Sequence, residues 1–192
     1  MDSKKQAKVI RFFRYIHRKI AVCLFVFFFI ISITGLLLGW KKKTGLLAPT
    51  QKGASTNAAD WLPVDSLKQL AAIYLQDSVD AKLSNELDRI DIRPLKGIAK
   101  FVFADHYWSL QIDCTTGKLL SIEKRKSDFI EDIHDGTILD KLFGTDEKSM
   151  LGYTTIMGIS LFLLTLTGFW LWYGPKRLRK RKKNDSTRRK DI

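Results

Sequence analysis

The chain has 192 residues, with 33 Lys and Arg against 20 Asp and Glu and a net charge of +13. The excess lies at the ends: residues 1–19 carry +6, residues 176–192 carry +8, and the stretch between them carries −1. A near-neutral middle offers no contiguous positive face to a phosphate backbone, which speaks against a nucleic-acid binder, whereas short basic tails beside apolar runs hold the ends of a membrane protein in the cytoplasm.

Residues 1–19 therefore read as a basic cytoplasmic N-terminus. From Ile20 to Trp40 the sequence IAVCLFVFFFIISITGLLLGW runs 21 residues without a charge, which at about 1.5 Å per residue covers a hydrocarbon core of about 30 Å. The spacing predicts a transmembrane helix over 20–40. The run closes on Trp40 and Lys41 to Lys43, not on a small-residue cleavage site, and so reads as an uncleaved anchor. Cys23 lies inside this run and Cys114 far outside it. They form neither a disulfide nor a CxxC metal or redox pair, and each reads as a small apolar filler.

Residues 41–60 form a linker, rich from Thr44 (TGLLAPTQKGASTNAAD) in small and turn-forming types. A small domain is predicted over 61–127. After Pro63, Leu67, Leu70, Ala71, Tyr74 and Leu75 recur at helical spacing, with Asp65 or Ser66 as the cap. Alternation follows: Ile90 and Ile92, Phe101 and Phe103, Trp108, Leu110 and Ile112, then Leu119 or Leu120 and Ile122. This predicts four antiparallel strands, with Asp113 to Gly117 (DCTTG) as the last tight turn. His106, in ADHYW, reads as a solvated loop histidine.

Residues 128–148 are expected to form an interfacial helix or loop whose Phe129, Ile130, Ile133 and Ile138 dip toward lipid. A second uncharged run over 149–174 predicts another transmembrane helix. It ends in Phe169, Trp170, Trp172 and Tyr173, an aromatic border, before Pro175 and the basic tail 175–192. Within that tail, Lys176 to Lys183 (KRLRKRKK) suit anionic head groups. Both spans carry a Thr-Gly phrase, SITGLLLGW and TLTGFWLWYG, and small residues let helices approach closely. Since the spans run in opposite directions, Thr34 and Gly35 cannot pack on Thr167 and Gly168. Both basic ends inside place the central domain in the periplasm of a bacterial inner-membrane protein. No serine nucleophile motif, phosphate loop or dinucleotide fingerprint is present.

The helix and strands ending in QIDCTTGKLLSIEKR resemble a PepSY domain. Their placement between YIHRKIAVCLFVFFFIISITGLLLGW and IHDGTILDKLFG…LTLTGFWLWYG resembles the PepSY-associated transmembrane family in a short, two-span form. The resemblance covers residues 11 to 175 and implies the fold class: two membrane α-helices plus a small α+β extracytoplasmic domain, a helix on an antiparallel sheet. Larger members are similar to iron-regulated membrane reductases in which histidines near the span ends ligate haem. Carried over, this implies haem b, with its iron on His17 of IHRK and on His134 of IHDG, two of the chain's three histidines. Arg14 and Arg18 beside His17 would then face haem propionates, or else serve only to enforce orientation.

With about 30 Å of hydrocarbon between the two borders, one haem cannot take both histidines. Paired imidazoles would have to come from a homodimer or from a membrane protein partner. The expected function is an electron-transfer or accessory component for iron or siderophore uptake. The alternatives are a non-catalytic anchored module that binds or regulates an envelope protein, and a small subunit of a larger envelope complex.

Overall fold

The computed structural model describes residues 3–188. The extreme basic ends, and the side chains of the tail from Arg181 onward, lie outside the described residues. The chain divides into two units: one joins the N-terminal stretch up to Gly35 with the stretch from Ile133 onward, and the other is Leu36–Asp132.

The first unit is built on two long helices, α1 (Ser3–Gly39) and α5 (Lys148–Arg188). Both are long and apolar enough to cross a membrane. Their most apolar stretches are only 6% and 11% buried, so they are not core helices of a water-soluble fold. Val22, Phe25, Val26 and Phe29 on α1, and Ile156, Phe162, Leu166 and Phe169 on α5, point outward, as lipid-facing side chains do. The helices run antiparallel: Ile10 meets Gly174, Phe13 meets Trp170, and Phe27 meets Tyr153.

Helix α1 begins well before the apolar run, and α5 continues through Pro175 into the basic tail. The expected border at Trp172 and Pro175 is thus a change of surface within one helix. Lys176 lies 3.8 Å from the Trp172 ring and Lys19 lies 5.7 Å from the Tyr15 ring. These cation–π pairs join an apolar body to a wet head at the same end of both helices.

Where one interfacial helix is expected, two short helices stand: α3 (Lys126–Asp135) and α4 (Thr137–Phe143). They are joined at Gly136, whose φ is +88° and where a Cβ would come within 2.4 Å of the Tyr153 ring. The Asp140 carboxylate then caps α5, accepting from the Ser149 and Met150 amides at 2.9 and 3.0 Å. The side chains that α4 exposes most are Leu142 and Phe143; Ile130, Ile133 and Ile138 are only half-exposed.

The second unit is a four-stranded antiparallel meander, β1 (Leu87–Arg93), β2 (Ile98–Phe103), β3 (Trp108–Asp113) and β4 (Leu119–Lys124), in the order β1-β2-β3-β4. Helix α2 (Val64–Ser78) lays Leu67, Ala71 and Leu75 on one face, against Phe101, Phe103, Leu110, Ile112 and Cys114. The helical and alternating spacings of the sequence are both present here. The cap is not: Pro63 occupies the N-cap with no side-chain bond, and Asp65 sits within the first turn. Proline has φ preset and lacks the N–H that a helix start leaves unpaired, so it suits this end.

His106 is also not a free loop histidine. Its ring packs at a tilt against Phe103, its Nδ1 receives the Trp108 amide at 3.3 Å, and its Nε2 lies 3.0 Å from the Ser84 carbonyl. Only the neutral Nε2–H tautomer serves both bonds, because an amide donates to Nδ1 and a carbonyl accepts from Nε2.

Residues 44–60 contain a single short 3₁₀ turn, yet they are fastened to the sheet. Gln111 accepts from the Gln51 amide at 2.9 Å and donates to the Pro49 carbonyl at 2.9 Å. The Gly53 amide donates to Lys96, and Ala54 donates to Asp113. A Cβ at Gly53 would lie 2.3 Å from the Gly97 carbonyl oxygen, so only glycine allows this crossing. Asp113, 4% exposed, ties the strap to the β3–β4 turn. Burial alone would raise its pKa, but the Thr116 hydroxyl and the Thr115, Ala54 and Thr116 amides outweigh that and hold it below 3.8.

Two outcomes follow from the strap. Gly53→Ala should destabilise this unit by about 1–3 kcal/mol through overpacking against backbone, read as a lowered unfolding midpoint of the full chain in detergent. A folded pKa below the unfolded one contributes stability that is present above the unfolded value and lost as pH falls through the folded one. Melting of the unit should therefore drop below about pH 4. Asp113→Asn should cost about 1–3 kcal/mol at neutral pH and reduce that acid dependence.

Candidate functional site

His17 and His134 are both expected at a border of the apolar layer, and both are half-buried. His17 lies on α1 and faces α5, where its Nδ1 is 2.8 Å from the Thr167 hydroxyl. His134 lies on α3 and faces α1, where its Nδ1 is 2.9 Å from the Thr34 hydroxyl. All four side chains belong to the first unit. Each threonine is followed by the glycine of the repeated Thr-Gly phrase. A Cβ on Gly35 would lie 3.1 Å from His134 Cε1, and one on Gly168 would lie 3.6 Å from His17 Cε1. The chain thus builds the same three-residue cluster twice, each histidine lodged against the Thr-Gly step of another helix.

The two clusters stand at different levels. Seventeen residues of α1 separate His17 from Thr34, a rise of about 25 Å, so each imidazole serves its own end of the helix pair.

The threonines are buried, Thr167 at 3% and Thr34 at 7% exposure. Each hydroxyl also bonds the carbonyl four residues back, Thr167 to Leu163 at 2.7 Å and Thr34 to Ile30 at 2.8 Å. A hydroxyl carries one proton, and carbonyls only accept. A threonine whose proton goes to the backbone has only lone pairs left to offer, and its imidazole partner would then carry the ring proton on Nδ1. The lone pair is then on Nε2, which makes no hydrogen bond among the described residues. A neutral imidazole with Nδ1–H anchored and Nε2 open is the usual form of a metal-ligating histidine.

Arg14 and Arg18 are exposed and take part in no ion pair among the described residues. They share the helix with His17, but nothing holds them against it. The acids near His134 are occupied elsewhere: Glu131 pairs with Lys41, Asp132 accepts from the Tyr107 hydroxyl, and Asp135 accepts from the Thr137 amide. Among the described residues no three His, Cys, Asp or Glu side chains converge as an ion cage. What the chain offers is one imidazole at each level.

Sequence reasoning singled out both histidines and both Thr-Gly phrases without pairing them. The antiparallel spans put the first phrase at the level of His134 and the second at the level of His17, and that coincidence is the signal that joins them.

A family model described as "PepSY-associated TM region" matches residues 16–191, a segment containing both clusters. No curated protein matches the chain.

The two glycines should respond unequally. Gly35→Ala places a methyl too close to the His134 ring and should loosen its bond to Thr34, seen by mass spectrometry as faster acylation of His134 by diethyl pyrocarbonate. Gly168→Ala makes an ordinary contact and should leave His17 acylation unchanged.

Proposed function

Because the chain belongs to the PepSY-associated transmembrane family, we propose that it is a haem b protein of the bacterial inner membrane, an electron-transfer or accessory component for iron or siderophore uptake. The observation that carries this reading is the paired geometry of His17 and His134, each with Nδ1 on a threonine and Nε2 without a hydrogen bond among the described residues. Both termini lie in the cytoplasm and residues 41–148 in the periplasm. The charge of +6 before the first span and +8 after the second supports that orientation, putting His17 at the inner border and His134 at the outer.

Haem b, when bound, supplies one-electron chemistry at its iron. His17 and His134 would hold it through Nε2, one imidazole at each border. A second copy of the chain, or a partner membrane protein, would have to supply a second imidazole, and a homodimer would offer a His17 pair inside and a His134 pair outside. Arg14 and Arg18 flank His17 on α1 and form no ion pair among the described residues, so they would be free to pair with the propionates. The sequence carries no nicotinamide or flavin fingerprint, so any electron would have to come from a donor outside the chain.

A second reading, an anchored module that binds an envelope peptide or protein without a cofactor, is favoured by a different feature. A groove of about 400 Å³ opens between α2 and the sheet, lined by Asp65, Lys68, Gln69, Asn85, Leu87 and Phe103 among others.

Protein purified in detergent from haem-replete cells should show a Soret band and red-shifted absorbance on reduction. His17→Ala and His134→Ala should each remove about half of it, and the double variant all of it. Colourless protein from such cells overturns the haem reading and leaves the groove. Protease added to spheroplasts should cut within residues 41–148 and spare both ends; the reverse pattern inverts the orientation.

A further inference from the structure

Thr34 and Thr167 are the only polar side chains bonded to the two border imidazoles among the described residues, and neither is itself a ligand candidate. We infer that they are positioning residues: each accepts a hydrogen bond from the Nδ1–H of the histidine lodged against it, holds the ring in that tautomer, and so presents the Nε2 lone pair for ligation. This rests on the haem reading for its purpose but not for its geometry.

The two sites are built alike to within a few tenths of an ångström. Thr167 Oγ1 lies 2.7 and 3.2 Å from the carbonyls of Leu163 and Leu164; Thr34 Oγ1 lies 2.8 and 3.2 Å from those of Ile30 and Ile31. In both cases the hydroxyl proton is shared between backbone oxygens of its own helix, which leaves the oxygen's lone pairs as the only partner for the imidazole. An imidazole that instead accepted from the threonine would strip this bond from the backbone and carry its own proton on Nε2, where iron must bind. Serine preserves the arrangement, because it keeps the hydroxyl. Valine matches the shape of threonine and removes the acceptor, so it separates the hydrogen bond from helix packing.

His106 supplies an internal reference. Its surroundings demand the opposite tautomer, with Nδ1 accepting from Trp108 and Nε2 donating to Ser84. With only three histidines in the chain, all the ring nitrogens can be followed at once.

The test is ¹⁵N imidazole magnetic resonance on the full chain in lipid nanodiscs, prepared without haem. His17 and His134 should be Nδ1–H and His106 Nε2–H. Thr167→Val should change only His17 and Thr34→Val only His134, while the two serine variants should match the parent. Haemin titration of the same samples should then show affinity weakened about 10–100-fold at the altered site in each valine variant, with serine restoring it. An Nε2–H ring at His17 or His134 in the parent, or valine variants that keep Nδ1–H, overturns the inference whether or not haem binds. The predicted tautomers together with no haemin binding by the parent would uphold the assignment of Thr34 and Thr167 and overturn the haem reading alone.

Discussion

A hydrogen-bonding side chain at the edge of a lipid-facing helix pair has little water to fall back on, so its partner has to come from the pair itself. That constraint organises the membrane unit. The two imidazoles and two hydroxyls near the ends of the apolar stretch satisfy one another across helices, and the glycine after each threonine leaves the room the ring occupies. Elsewhere the helices meet through apolar contacts such as Phe13 with Trp170. The polar bonds fix which residues stand level with which, and apolar packing fills in the rest. A helix pair joined only by apolar contacts would have weaker control of rotation and register, and ring nitrogens would not be aimed.

The other unit solves a different problem. A four-stranded sheet with a helix on one face leaves the second face to be covered, and here the extended stretch after α1 covers part of it. The buried Gln111 and Asp113 act as fixed clamps whose partners are backbone groups of that stretch. Side chains alternating to the second face of a meander are ordinarily solvated. Their burial here explains why β2 and β3 are buried along nearly their whole length.

The parts of this architecture with a strong period were legible from residues alone. Uninterrupted apolar length announced the two spans, the spacing of Leu67, Ala71 and Leu75 announced α2, and alternation announced the strands. Bonds between distant residues were not legible. Nothing in TGLLAPTQKGASTNAAD signals that Gln111 will grip it, because glutamine at an alternating position reads as solvent-facing. His106, read as a solvated loop histidine, was missed in part for the same reason: Ser84, which its Nε2 meets, comes from a segment that no local pattern links to it. The Thr-Gly phrases are an intermediate case. Their resemblance was visible, as was the fact that they lie at opposite levels, yet helix propensity and composition say nothing about which side chain each will meet. Helix ends were the least legible, since α1 and α5 run past the apolar boundary through polar sequence that carries no stop signal of its own.

Each cluster draws its histidine and its threonine from separate helices, which fixes an order of completion during synthesis. Chains emerge from the N-terminus, so Thr34 has its imidazole as soon as residue 134 has been made. His17, made earlier still, must wait for Thr167 on α5. A ribosome that stops between those points releases a polypeptide with one finished site and one orphaned ring. The completeness of the His17 cluster therefore reports that α5 has been inserted.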